Sequence, residues 1–329
     1  MSRLLLLTPV NKDKLIQQCI FKPFSWLYLL TLSMLSTTAV ACQTIIEIPQ
    51  LECQVLVKLY HQTGGHDWYN NTGWHVDDTP CSWYGISCTR GHVTGIYLSS
   101  NQLKGSIPQE LGYLTQLKFL SLDSNQLTGR IPKTLGQLSQ LEKLYLQSNQ
   151  LSGVIPETLS QLSRLQELDL FNNQLTGSIP KALTQLRRLR KLYLGFNQLS
   201  GPIPAKLGQL SQLVDLDLFN NQLTGSIPPQ LGQLTQLQKL YLSFNQLTGP
   251  IPKELGHLKH LKRLSLSSNR LTGGIPKELG NLTQLQNFSV DNNQLTGSIP
   301  ASLSRLSRLM VEGTNLGYNA LTASDPKLI

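Results

Sequence analysis

His257 and His260 stand three residues apart in GHLKHL, a spacing that could offer two imidazoles to one metal ion. No carboxylate or cysteine partner is paired to them, and their segment reads as an outer, solvated one. His61, His66, His75 and His92 are scattered towards the N-terminus. Asp169 and Asp217 would stand about 9–10 Å apart if they lie two strands apart in a sheet, a separation that would suit an inverting glycosidase. An open sheet, however, gives no pocket to raise the pKa of one of them. HExxH, GxSxG, P-loop and GxGxxG motifs are absent from the sequence. No catalytic residue, metal site or cofactor is therefore expected, and the chain is read as a non-enzyme.

The chemistry that remains is recognition. Tyr145, Asp169, Tyr193, Asp217 and Tyr241 follow one another at 24-residue steps, each four places before an asparagine. Phe171 and Phe219 come two places before their asparagines, Phe196 and Phe244 one place before theirs. Six places before the asparagines, Lys143, Glu167, Lys191, Asp215, Lys239 and Arg263 alternate largely in sign. Two readings stand. In the first, a duplication of two units copied everything, and the charges merely neutralise one another across strands. In the second, the aromatic rings and carboxylates form a ligand-binding face for an extended peptide, a protein or a glycan. Tyrosine gives contact area at small entropic cost.

The elements that must hold this row repeat strictly. Asn101, Asn125, Asn149, Asn173, Asn197, Asn221, Asn245, Asn269 and Asn293 are 24 residues apart without insertion. Around Asn125 the unit carries Leu117, Leu120, Leu122, Leu127, Leu135, Leu138, Gly129 and Ile131-Pro132. Leu120-x-Leu122 alternates as a short strand with both leucines inward. The asparagine amide is expected to cap backbone groups of its own turn and of the next unit. Each buried leucine contributes about 1.5–3 kcal/mol, and a lone unit cannot bury its own. The fold class is therefore an α/β solenoid stabilised by stacking. The 24-residue interval is set by stacking, and the 48-residue interval lives on the surface positions that stacking leaves free.

The frame LxxLxLxxNxLxGxIPxxLGxL closely resembles the plant-type leucine-rich repeat over about residues 93–309. The resemblance implies a right-handed superhelix with a concave parallel sheet and a convex side of 3₁₀ turns and short strands. Residues 42–92 resemble the matching N-terminal cap: Leu51, Val55, Leu56, Leu59 and Tyr60 have helical spacing over 50–62, and DWYNNTGWHVDDTPCSWYGISC follows. The resemblance suggests that Trp74 and Trp83 pack this cap and that Cys81–Cys88 clips its hairpin. After Leu309 the register breaks and resumes two residues late near Asn319, which makes 310–329 an irregular last unit or C-terminal cap. Receptor-like ectodomains and polygalacturonase inhibitors share the frame. They imply peptide, protein or glycan ligands, with inhibition of a secreted hydrolase or a structural, adhesive role as alternatives. No kinase follows the repeats in this sequence, and a monomer is expected.

Residues 1–41 read as an export signal, with basic residues up to Lys22, an apolar run from Phe24 and Ala39-Val40-Ala41 as a cleavage site. Cys42 follows directly, so a lipobox is a second reading and would point to a bacterial member; an uncleaved anchor is a third. Each places the repeats outside the cytoplasm, secreted, periplasmic or at the cell surface, with a membrane met only through that N-terminus. Cys42, Cys53, Cys81 and Cys88 allow three pairings; Cys81–Cys88 is favoured, then Cys42–Cys53, which competes with lipidation of Cys42. Asn70, Asn281 and Asn287 begin glycosylation sequons, meaningful in a eukaryotic host. Net charge is +9, of which +3 belongs to residues 1–41. The remainder is spread along the IPK-type turns (Lys133, Lys181, Lys206, Lys253, Lys277) rather than gathered in a patch, so no nucleic-acid partner is expected.

Overall fold

A chain that repeats one apolar frame every 24 residues has to place equivalent atoms along a line, and the computed structural model does so. It describes residues 42, 47–74, 76 and 78–322; the expected export signal lies outside them. Among the described residues no helix is long and apolar enough to cross a membrane.

Helix α1 (Gln50–Gln62) opens the solenoid. Its Cys53, Val55, Leu56, Val57 and Leu59 are buried, whereas Leu51, grouped with the apolar face by spacing, is half exposed. The inward face is instead completed by Cys53 and Val57. Buried Glu52 ties α1 to the strand His92–Tyr97: its carboxylate accepts the Val93 N–H at 2.7 Å and meets His92 Nδ1 at 2.7 Å. Trp68, Trp74 and Trp83 are buried with centroids 4.9 and 5.0 Å apart in sequence. Their indoles are satisfied where described: Trp68 Nε1 donates to Thr63 O at 2.9 Å and Trp74 Nε1 to Tyr84 O at 2.8 Å. Cys42 is paired with Cys53, and Cys81 with Cys88. A Cys42 sulfur held in a disulfide has no thiol left to carry a lipid.

The hairpin Ile86–Thr89 to His92–Tyr97 starts an eleven-stranded sheet. One strand from each later unit joins it parallel, in the order of the sequence. Strands such as Lys143–Tyr145, Glu167–Asp169 and Lys191–Tyr193 are three residues long. Each buries its central leucine and turns its two flanking side chains to the concave side. Five-residue segments such as Gln174–Ser178 build a second, ten-stranded sheet. A 3₁₀ turn after each Ile-Pro closes the coil. The frame leucines of the repeats are buried to within a few per cent. The LG of the frame has a steric cause: a Cβ on Gly136 would fall 2.4 Å from Thr158 O of the next turn.

The asparagine amides point back along the chain. Asn173 Nδ2 donates to Leu170 O of its own turn and to Leu146 O of the preceding unit, while its Oδ1 accepts Leu151 N–H at 3.0 Å. The same pattern recurs at Asn149, Asn197, Asn221, Asn245 and Asn269. The expected partner in the next unit is thus corrected to the previous one. The carbonyls of a completed strand end are already in place when the next coil is laid on top. Asn101 contacts the cap instead, accepting Asn70 N–H and donating to Asn70 O. Asn319 closes the series on Val290 O and Leu295 N–H, despite its late register.

Candidate functional site

The parallel register sets Tyr145, Asp169, Tyr193, Asp217, Tyr241 and Ser265 side by side, one per strand. Beside that row runs a second, Lys143, Glu167, Lys191, Asp215, Lys239 and Arg263. The two rows are hydrogen-bonded diagonally. Tyr145 Oη donates to Glu167 at 2.6 Å and Tyr193 Oη to Asp215 at 2.7 Å. Glu167 also lies 3.2 Å from Lys143 Nζ and 3.3 Å from Lys191 Nζ, and Asp215 lies 3.0 Å from Lys239 Nζ. Tyr241 takes the other role and accepts from Arg263 at 3.3 Å. Glu167 and Asp215 were absent from the expected site residues, although their 48-residue alternation was visible. They hold the hydroxyls of Tyr145 and Tyr193, whose rings are half-buried.

Asp169 and Asp217 hold a different position. Each accepts a backbone N–H two residues on, from Phe171 at 3.0 Å and Phe219 at 2.9 Å. Burial pushes the Asp169 carboxyl up to about 6, helped by the charges of Asp123, Asp217 and Glu167 and opposed by the Phe171 N–H. Burial likewise raises Asp217, with Asp215 adding to it. Glu167 moves the other way: burial alone would raise it, but hydrogen bonds from Tyr145 and Lys143 and the nearby lysine charges lower it. The tyrosine hydroxyls of residues 145 and 193 are pushed up by burial and by their carboxylate acceptors, so they stay protonated donors.

The phenylalanines form one continuous ladder. Phe171–Phe196, Phe196–Phe219 and Phe219–Phe244 have ring centroids 5.1 Å apart in each pair, tilted or edge-on. Phe196 is 42% and Phe244 51% exposed. Both have left-handed backbone, φ 51° and 58°. The same position in other units is also left-handed: it holds small polar residues at Ser100, Ser124, Ser148, Asn172, Asn220, Ser268 and Asn292, and a further aromatic, Tyr318, in the irregular last unit. Asparagine tolerates that region, and a bulky side chain rarely adopts it. Gly195 makes room for the ladder, because a Cβ there would fall 2.7 Å from Asp217 Oδ1 and 3.0 Å from the Phe171 ring. Neither the backbone strain nor the role of Gly195 was read from the sequence. The signal was present as a Phe in a column that in the units on either side holds Asn or Ser. All nine expected face residues thus lie on one strip, and Lys143, Glu167, Lys191, Asp215, Lys239 and Gly195 join them.

His257 and His260 lie on the outer turn and the segment after it, away from this strip. Among the described residues no group of three His, Cys, Asp or Glu side chains could hold a metal ion.

Leucine-rich-repeat family profiles match residues 92–114 and 116–138, 132–199, and, as a leucine-rich-repeat region, 193–312. The structure of PEPR1 with AtPEP1 is similar at 32% identity and TM-score 0.71, over 82% of this chain and 41% of that one. A plant ice-binding protein is similar at 27% identity and TM-score 0.73, over 85% of this chain and 89% of that one. The Arabidopsis receptor kinase HAESA, solved with the peptide hormone IDA and the co-receptor SERK1, is similar at 32% identity and TM-score 0.61, over 80% and 50%. A curated relative from Arabidopsis thaliana, named as an inactive receptor kinase (RLK902), is 47% identical over 51 residues, 15% of this chain and 8% of its own. The chain therefore spans less than half the length of that relative and of PEPR1. With the stacked parallel sheets, the backward-pointing asparagines and family profiles over most of residues 92–312, the chain belongs to the leucine-rich-repeat family.

Proposed function

We propose that this chain is a non-catalytic recognition protein that binds a peptide or protein segment along the concave strip from Tyr145 to Phe244. The observation that carries this reading is the pair Phe196 and Phe244. Two bulky rings occupy left-handed backbone and solvent, where neighbouring units use asparagine or serine. Such strain costs of order 1–3 kcal/mol; stacking on Phe171 and Phe219 offsets part of it, and the ring area still left in solvent is what a partner would cover. Two disulfides suit an extracytoplasmic, cell-surface or secreted setting. HAESA, a relative of this fold, was solved with a peptide hormone. Aromatic edges and faces beside fixed carboxylates favour a peptide over a glycan, since Lys143, Lys191, Lys239, Tyr145 and Tyr193 are already engaged with Glu167 and Asp215. The test is selection of peptides from a random display library on the purified chain. Selected peptides should lose at least tenfold in affinity for a Phe196→Asn/Phe244→Asn variant and for a Tyr193→Ala/Tyr241→Ala variant. Equal binding to wild type and both variants would remove this reading.

A second reading is favoured by one feature of the other sheet. Exposed Thr224, Thr248, Thr272 and Thr296 recur one per strand, and the staggered register sets Thr224 beside Gln246, Thr248 beside Arg270 and Thr272 beside Gln294. Such a flat, weakly charged array suits an ordered surface, and one relative is an ice-binding protein. Inhibition of ice recrystallisation by the wild type, abolished in Thr224→Lys/Thr248→Lys, would support it; no inhibition would end it.

A further inference from the structure

We propose that the segment bound on the concave strip is a polyproline-II helix carrying a basic residue at every third position. This deepens the peptide-binding reading and rests on it. The argument begins with a length. The strip repeats its chemistry every second strand: Tyr145, Tyr193 and Tyr241 in one row, Asp169 and Asp217 between them, Phe171 and Phe219 at the edge. Two strand spacings are about 9.6 Å. A polyproline-II helix has three residues per turn at about 3.1 Å each, so it presents the same face every ~9.3 Å. A β-strand ligand presents the same face every ~6.7 Å. It would face the strip at one tyrosine and turn away at the next.

Backbone chemistry points the same way. The concave strands are paired on both sides, so a ligand finds no open edge along the strip on which to add a strand. A polyproline-II segment has no internal hydrogen bonds and needs no strand partner. It docks instead by laying pyrrolidine rings on aromatic surfaces, and the four-ring phenylalanine ladder supplies a continuous one.

Charge fixes the third position. Lys143, Lys191 and Lys239 are matched by Glu167 and Asp215. Among the described residues no cation is paired with the carboxylates of Asp169 and Asp217; each engages one oxygen with a backbone N–H. They recur at the same two-strand interval, so one helical turn brings successive basic side chains to them. A cation seated there favours the ionised carboxylate, so binding should tighten as pH rises through about 6, the value for Asp169.

The experiment uses the purified chain and fluorescent (Pro-Pro-Arg)₅, with (Gly-Ser-Arg)₅ matching its charge without its conformation and (Pro-Pro-Glu)₅ matching its conformation without its charge. The expected result is binding of (Pro-Pro-Arg)₅ at least tenfold tighter than either control. A further loss of at least tenfold is expected in Phe196→Asn/Phe244→Asn and in Asp169→Asn/Asp217→Asn. Equal binding of the glycine-serine peptide would show charge attraction alone and overturn the proposal. So would binding indifferent to both variants, displacement by a neutral glycan as effective as by the peptide, or no binding of the proline peptide. If library-selected peptides still bind through Phe196 and Phe244 in that last case, this inference falls and the recognition reading stands.

Discussion

At the scale of single residues, the strip mixes groups that the fold stabilises with groups that it tolerates. Asp169 belongs to the second kind. Its carboxyl titrates near 6 in the fold because it is buried, against about 3.9 in an unfolded chain. The folded state therefore holds a proton that the unfolded state has released between these values. The stability it contributes is fully present below about pH 4 and is lost as pH rises through about 6. Asp169→Asn should raise Tm relative to wild type at pH 7.5 by a few degrees and change it little at pH 4, as thermal melts at both pH values would show. Phe196→Asn gives a second expectation. Relief of left-handed strain should stabilise the fold by about 1 kcal/mol, a gain of roughly 2–4 °C, in the same variant that loses ligand. A Tm unchanged or lowered would mean that ring stacking on Phe171 and Phe219 outweighs the strain.

At the scale of one unit, two kinds of position divide the labour. Frame positions are dictated by neighbours above and below, and they were legible in the sequence because stacking leaves leucine, asparagine and the Ile-Pro pair no alternatives. The direction of the asparagine amides was not legible, because an Asn side chain can reach either neighbour and only the geometry of the coil decides. Asn197→Ala is expected to leave Leu175 N–H and the Leu170 and Leu194 carbonyls without their side-chain partner. Unsatisfied buried groups cost about 1–3 kcal/mol, measurable as a lower urea midpoint. Face positions were legible as a row, since register follows from the fixed 24-residue length. What the row does with its hydroxyls was not, because the diagonal Tyr145–Glu167 and Tyr193–Asp215 bonds depend on side-chain rotamers rather than on spacing. The face also depends on what is missing: Gly195→Val should push the Phe171 ring aside and weaken peptide binding without breaking the frame.

At the scale of the molecule, contacts run between neighbouring units and both ends need closing. The cap does this at the start through α1, the tryptophan cluster and the Cys81–Cys88 bond that closes the segment leading into the first hairpin. Removing that bond as Cys81→Ser/Cys88→Ser is expected to cost about 2–4 kcal/mol and to expose the first repeats to proteolysis before the later ones, readable by limited digestion and mass spectrometry. A uniform loss of protection along the chain would show instead that the repeats melt as one body.

The backward aim of the asparagines gives the coil an arrow. Each turn sends its amide to the turn made before it, as Asn173 does, donating to Leu146 O and accepting Leu151 N–H. On a ribosome, then, the newest turn always has open polar groups, and they are closed only when the asparagine 22 residues beyond its first strand-side N–H has emerged. Growth from the cap lets every completed turn be sealed by its successor, and the last such seal among the described residues is Asn319, which reaches back to Val290 and Leu295 across the irregular stretch. A chain ending before it would finish on an open turn, however many perfect repeats it carried.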